Sequence, residues 1–107
     1  MRPAEPARDG AMYRDDEDTQ LMLAFQRGSR SAFERLVSRT QERVFRLALR
    51  YMGDASSAED VTQDVFVRVY NAGESYRPTA RFSTWVYRIT VNLSLTALRD
   101  SRGRPEI

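Results

Sequence analysis

The feature that most constrains the fold is a stripe of apolar side chains that recurs every three or four residues between Phe33 and Tyr51. This spacing matches the 3.6-residue turn of an α-helix and predicts an amphipathic helix about twenty residues long. Arginine occupies much of the opposite face, which fits a surface turned to solvent. The stripe consists of Phe33, Leu36, Val37, Thr40, Val44, Leu47, Ala48 and Tyr51.

The boundaries of this long helix are marked by local signals. Ser31 and Glu34 form a capping-box pattern at its start, and Gly53 follows its end. A short helix is predicted ahead of it over residues 18–27, because acidic residues precede this segment and Gly28 follows it.

Two further helices are predicted downstream. The first opens with a second capping box at residues 56–59 and closes near residues 71–73. Its β-branched valines mildly favour a strand, but strict alternation fails while four-residue steps persist, so we predict a helix. After a loop at 74–81 that contains a proline, the last helix is predicted over residues 82–99.

These segments predict an all-α fold, a compact bundle of four helices of which one is short and three are long. A chain of 107 residues corresponds to one domain. We expect a flexible N-terminal tail over residues 1–16, a helical domain over 17–101, and the start of a linker at 102–107.

The composition excludes several classes of function. The chain has no Cys, His or Lys, and all 17 basic residues are Arg. Disulfides, the usual zinc sites, His-based catalysis and Schiff-base chemistry are therefore excluded, and we expect no catalytic residue, metal or cofactor. Without a membrane-length apolar run or a signal-peptide pattern, the expected location is the cytoplasm.

Charge alternates by segment although the net charge is only +2. Residues 1–20 and 59–74 each carry about −3, whereas 21–58 and 75–107 each carry about +4. Alternation of this kind suggests different surfaces for different partners, with ordinary solvated helix faces as the alternative.

The last predicted helix carries the sharpest signal, a face that mixes guanidinium groups, an indole and an amide. Arginine neutralises phosphates, aromatic rings stack on bases and an amide can bind a base edge, so this face suits single-stranded nucleic acid. Tyr76 and Arg77 in the preceding loop add to it. The alternative is that Trp85 is core and the arginines are merely solvated. We call this set the arginine–tryptophan face: Arg81, Trp85, Arg88, Asn92, Leu95 and Arg99.

The third helix has a different exposed surface, in which Glu59, Asp60, Gln63 and Asp64 share one side. This acidic strip would bind a basic protein helix and would repel DNA. Carboxylates near a helix start also favour the helix dipole, so a purely local role is the alternative.

Two segments, AEDVTQDVF at residues 58–66 and FSTWVYRITVN at residues 82–92, resemble region 2 of the extracytoplasmic-function sigma factors. The similarity extends upstream through residues 31–37 and 47–54 and covers about 17–101. The order and spacing of several motifs agree, which is far more specific than any single motif.

This resemblance implies a helical domain without catalytic activity that directs transcription initiation with two partners. The acidic strip matches the segment that docks on the β′ clamp helices of core RNA polymerase. The domain opens the minus-ten promoter element and captures a flipped base of the single-stranded non-template DNA. The positions matching the base pocket are Tyr76, Arg77, Pro78, Thr79, Ala80 and Asn92, and those matching the melting and backbone-contact segment are Arg81, Trp85 and Arg88.

The pocket interpretation requires Tyr76 and Asn92 to lie close together. By analogy, the resemblance also implies an anti-sigma factor as a partner. Family members continue into a second helical domain that recognises the minus-thirty-five element. We therefore expect an excised domain that binds polymerase and melted DNA only weakly by itself.

Two alternatives remain at this point. The chain could be a helical protein-interaction module without nucleic-acid binding, which would use the same core. A hydrolase with Asp60 and Asp64 as paired carboxylates is disfavoured, because an exposed helix turn offers no environment that tunes their pKa.

Overall fold

The computed structural model describes Tyr13 and residues 15–103, without the side chains of residues 102 and 103. This part of the chain forms four α-helices and a 3-10 turn, and it contains no strand. The predicted all-α bundle of one short and three long helices is confirmed. The elements are α1 (Glu17–Gln26), α2 (Arg30–Met52), α3 (Ala55–Asn71), the 3-10 turn (Gly73–Ser75) and α4 (Phe82–Gly103).

The two predicted capping boxes are wrong, because α2 and α3 each begin earlier. Ser29 accepts a hydrogen bond from the Ala32 N–H at 3.1 Å and caps α2. Asp54 caps α3 by accepting from the Ser57 N–H at 2.9 Å. Each cap directly follows a glycine of positive φ, Gly28 (φ 107°) or Gly53 (φ 85°). The turn ends at the glycine, so the next residue is already extended and starts the following helix.

The last helix continues further than the sequence indicates. It runs through Gly103 rather than ending near residue 99, so the first two residues of the expected linker are helical. Residues 104–107 lie outside the described residues, as do residues 1–12 and 14 of the expected tail.

The core lies where the faces of all four helices meet. The line Leu36, Thr40, Val44 and Ala48 of α2 is buried, and so are Val61, Val65 and Val69 of α3. The buried hydroxyl of Thr40 donates to the Leu36 carbonyl at 2.7 Å, which satisfies the polar group within its own helix. The buried apolar side chains that pack together as the core cluster are Met22, Leu36, Val44, Ala48, Ala58, Val61, Val65, Val69, Tyr76, Phe82 and Val86.

An ion pair fixes α1 against α2. Asp18 in the first turn of α1 is buried, and Arg39 donates to its carboxylate from 2.6 Å. This hydrogen bond raises the pKa of Arg39, with Coulombic attraction to the same carboxylate adding to the effect. The acidic start of α1 therefore pairs with the arginine face of α2 as well as complementing its own dipole.

No helix in residues 15–103 is long and apolar enough to cross a membrane.

Candidate nucleic-acid interface

The arginine–tryptophan face of α4 is turned to solvent over most of its length. Arg81, Arg88, Asn92 and Arg99 are exposed, and Leu95 is 46% exposed. Trp85 is half-buried and packs against the core. The three- and four-residue steps thus put three guanidinium groups and one amide on one accessible surface.

Tyr76 differs from its expected position at this surface. Its side chain is only 1% exposed, and its ring centroid lies 5.1 Å from Trp85 and 6.4 Å from Phe82. Its hydroxyl donates to the Ala80 carbonyl at 2.6 Å. Burial raises the pKa of the Tyr76 phenol. In this conformation Tyr76 packs in the core beneath the loop backbone, and neither face of its ring is accessible to a base.

The loop before α4 is fastened to α1 by a side chain that sequence reasoning missed. The amide nitrogen Nε2 of Gln26 donates to the Gly73 carbonyl at 2.6 Å and to the Tyr76 carbonyl at 2.8 Å. Gly73 itself lies so close to Phe25 that a Cβ there would be 2.8 Å from a ring carbon. In the sequence, this role of Gln26 is indicated only by its position as a polar residue at the end of an apolar helix face.

A second connection from α1 holds the start of α4. The Oγ1 of Thr19 accepts a hydrogen bond from the Phe82 N–H at 3.1 Å and donates to the Asp16 carboxylate at 2.8 Å. Thr19 is fully buried, so this hydroxyl satisfies a backbone donor at the α4 N-terminus that water cannot reach. Thr19 therefore helps to set the direction in which α4 presents its arginines.

The remaining residues of this loop differ in how much of each side chain is exposed to solvent. Arg77 and Thr79 are exposed, whereas Pro78 and Ala80 are half-buried. The Arg77 guanidinium donates to the Glu74 carbonyl at 3.4 Å, which leaves most of its N–H groups free.

The structure does not bring Tyr76 and Asn92 together. Tyr76 packs at the level of Trp85, and Asn92 lies seven residues, or about 10 Å, further along the helix. A single pocket formed by the Tyr76 ring and the Asn92 amide is therefore not present in this conformation. The loop meets the first turn of α4 instead, around Ala80 and Trp85.

The acidic strip is fully on the surface of α3, since Glu59, Asp60, Gln63 and Asp64 are all exposed. The first turn of α3 contains no acidic residue, because the helix begins at Ala55 and Asp54 caps it. The strip consequently starts beyond the region where carboxylates stabilise a helix start, so the local alternative has no support.

The same side of α3 continues into an apolar patch that sequence reasoning missed. Val67 is 57% exposed and Tyr70 is 50% exposed. Val67 follows Asp60 by seven residues and Asp64 by three, which is the spacing of one helix face. The strip thus combines charge with apolar area, as protein-binding surfaces do.

A groove between α2 and α4 lies away from both surfaces. It has a volume of about 580 Å³ and runs beside Val44, Val86 and Tyr87, and none of the predicted site residues lines it. Among residues 15–101, no group of three or more acidic side chains is placed to hold a metal ion.

Comparisons with known proteins agree with this fold. The family model for Sigma-70 region 2 matches residues 36–104. A solved complex of an engineered region 2 of sigmaE with GTAAAA superposes with a TM-score of 0.77 at 37% identity, covering 84% of this chain and 94% of that chain.

Curated relatives give the same result. The RNA polymerase sigma-H factor of Pseudomonas aeruginosa is 38% identical over 93 residues, which cover 87% of this chain and 48% of the relative. The ECF RNA polymerase sigma-E factor of Escherichia coli is 38% identical over 88 residues, covering 82% and 46%. The ECF sigma factor SigW of Bacillus subtilis is 33% identical over 76 residues, covering 71% and 41%. The chain thus spans less than half the length of these relatives.

The helical bundle and its similarity to these proteins define the class of protein: this chain is a domain of a bacterial RNA polymerase sigma factor. More narrowly, the chain belongs to the Sigma-70 region 2 family, within the extracytoplasmic-function (ECF) group.

Proposed function

We propose that this chain recognises and melts the promoter minus-ten element by binding the unpaired non-template strand along the arginine–tryptophan face. The observation that carries the proposal is the exposure of three arginines and Asn92 on one side of α4. The solved relative, which was determined in complex with GTAAAA, supports it through its close similarity to this chain.

The strand would follow the helix from its N-terminus. Arg81, Arg88 and Arg99 are seven and eleven residues apart, so their guanidinium groups can neutralise successive parts of a phosphate backbone. No chemical step on the DNA is required, so the proposal involves neither a catalytic residue nor a cofactor.

For base capture we propose a site between the loop at residues 77–80 and the first turns of α4. Extruding a base costs a few kcal/mol, which stacking and hydrogen bonds in a pocket offset. Tyr76 would position this loop from the core, and half-buried Trp85 would present its accessible edge. Asn92, further along the helix, would contact a different base of the same strand.

The acidic strip is proposed to bind core RNA polymerase through the β′ clamp helices. Exposed carboxylates suit a basic partner helix, and the neighbouring Val67 and Tyr70 supply apolar area to bury in the contact. We propose residues 17–101 as the functional unit and residues 102–107 as the start of an interdomain linker, whose first two residues continue α4.

Binding to the oligonucleotide GTAAAA tests strand recognition. Removing one hydrogen bond in Asn92→Ala is expected to weaken binding about fivefold, and a scrambled oligonucleotide should bind less well than GTAAAA. Arg88→Ala should reduce the slope of log affinity against log salt by about 0.7, the value for one phosphate contact on a single strand.

The matched control is Arg46→Ala on α2, whose guanidinium already pairs with Glu42 at 3.3 Å. This variant should keep the wild-type affinity. If GTAAAA does not bind, or binds with an affinity independent of salt, the chain is better described as a protein-interaction module.

Charge reversal tests the second surface independently. Asp64→Arg is expected to reduce affinity for core RNA polymerase and to leave GTAAAA binding nearly unchanged. Glu34→Arg makes the same change of charge on α2 outside the acidic strip and should affect neither. Equal loss of both activities in Asp64→Arg would contradict the separation of the two surfaces.

A further inference from the structure

We infer that Tyr13, ahead of α1, is a positioning residue of the strand-binding face and orients Arg81. This inference rests on the proposed function, since it assigns Tyr13 a part in the same nucleic-acid site. No local sequence signal separates Tyr13 from the expected tail at residues 1–16.

The inference is based on a cation–π contact between the side chains of Tyr13 and Arg81. The guanidinium carbon of Arg81 lies 5.7 Å from the centroid of the Tyr13 ring, within the range of such contacts. Arg81 directly precedes α4 and is the first arginine of the arginine–tryptophan face. Without a partner, an exposed arginine at this position would sample many rotamers.

A ring contact of this kind orients a guanidinium without using its hydrogen-bonding capacity. The aromatic ring covers one planar face, whereas the five N–H donors point outward in the plane of the group. Phosphate oxygens approach arginine along that edge and often accept two parallel hydrogen bonds. Tyr13 therefore holds Arg81 in a form that can still bind phosphate.

The backbone around Tyr13 is connected to the element that carries Arg81. The Tyr13 carbonyl accepts from the Asp16 N–H at 3.0 Å, and the Asp16 carboxylate accepts from the Thr19 hydroxyl at 2.8 Å. That hydroxyl in turn accepts from the Phe82 N–H at 3.1 Å. A chain of hydrogen bonds thus joins the turn that contains Tyr13 to the first residue of α4, next to Arg81.

A double-mutant cycle on the full 107-residue chain tests the inference, with fluorescently labelled GTAAAA as the probe. Tyr13→Ala is expected to weaken binding about two- to fivefold, the effect of a solvent-accessible cation–π contact. Tyr13→Phe keeps the ring and should retain wild-type affinity. In an Arg81→Ala background, Tyr13→Ala should have no further effect, because the group that it orients is gone.

Tyr87→Ala serves as the control, since Tyr87 is exposed on α4 but lies outside the arginine–tryptophan face. Its affinity should match that of the wild type. Tighter binding by Tyr13→Ala would overturn the inference, because it would mean that Tyr13 competes with the strand for Arg81. Equal losses from Tyr13→Ala with and without Arg81 would also overturn it. If wild type itself fails to bind GTAAAA, the proposed function fails instead.

Discussion

Replacing Thr19 by valine tests whether a single buried hydroxyl fixes α4 in the bundle. Valine has nearly the shape of threonine, so the substitution removes the hydroxyl and leaves the packing volume almost unchanged. It deletes the acceptor for the Phe82 N–H and the donor to Asp16. The backbone N–H of residue 19, which donates to the same Asp16 carboxylate at 3.0 Å, is retained.

The magnitude follows from the burial of the groups involved. Leaving the Phe82 N–H without an acceptor in the core costs about 1–3 kcal/mol. The lost hydrogen bond to Asp16 contributes less than a buried charged pair would, because Asp16 is only half-buried and water can replace the donor. We therefore expect Thr19→Val to lower the free energy of unfolding by about 2–3 kcal/mol. Thr19→Ser keeps the hydroxyl, loses one methyl group and should cost only about 1 kcal/mol.

Urea denaturation, followed by the fluorescence of the single tryptophan and by circular dichroism, measures both variants. With an unchanged slope, a loss of about 2–3 kcal/mol moves the midpoint of Thr19→Val down by about 1–2 M. The two probes should give coincident transitions, which establishes two-state unfolding. If Thr19→Val is as stable as Thr19→Ser or more stable, the hydroxyl does not hold α4 and the reasoning is refuted.

Three further predictions concern the loop and the helix ends. Gln26→Ala leaves two loop carbonyls without their shared donor and should lower the free energy of unfolding by about 1–2 kcal/mol, measured by the same urea titration. The control Gln41→Ala, on the exposed side of α2, should change it by less than about 0.5 kcal/mol. The pKa of Tyr76 is raised in the folded state, so its contribution to stability is complete below the ordinary value of 10.0 and is lost as pH rises through the folded value. The urea midpoint of the wild type should therefore fall above about pH 10, and that of Tyr76→Phe should fall less steeply. A wild-type midpoint that does not change with pH would contradict this. Hydrogen bonds from Ser57 lower the pKa of Asp54, so the contribution of Asp54 to stability is present above the ordinary pKa of 3.8 and is lost as pH falls through the lower folded value. Asp54→Asn should therefore make the free energy of unfolding less sensitive to acid. An acid profile unchanged by this substitution would show that the charge of the cap is unimportant.

The helices and both candidate surfaces could be predicted because their signals are local. The three- and four-residue spacing of apolar side chains located α2, α3 and α4, and the same periodicity put Arg81, Arg88 and Asn92 on one exposed side. Helix starts were less well predicted. A serine or aspartate two residues earlier caps as effectively as the predicted one, and the choice depends on the glycine that precedes it.

The role of Tyr76 could not be predicted, because an aromatic residue beside arginine in a loop has the same local pattern whether it stacks on a base or fills the core. The structure assigns it to the core through its contacts with Phe82 and Trp85. The acidic strip shows the opposite case. Its sequence pattern allowed a local role in helix capping, and the observed start of α3 at Ala55 removed that alternative.

The sequence by itself determined a bundle of helices with an acidic surface on one helix and arginine-rich surfaces on others, since periodicity and charge along a helix depend only on neighbouring residues. Only the tertiary structure decided how the proposed strand-binding end is assembled. Gln26 reaches carbonyls 47 and 50 residues away, and Thr19 caps a helix that begins 63 residues later. Contacts across such separations form because folding brings polar groups into a core where each must find a partner, and no local pattern specifies which partner that is.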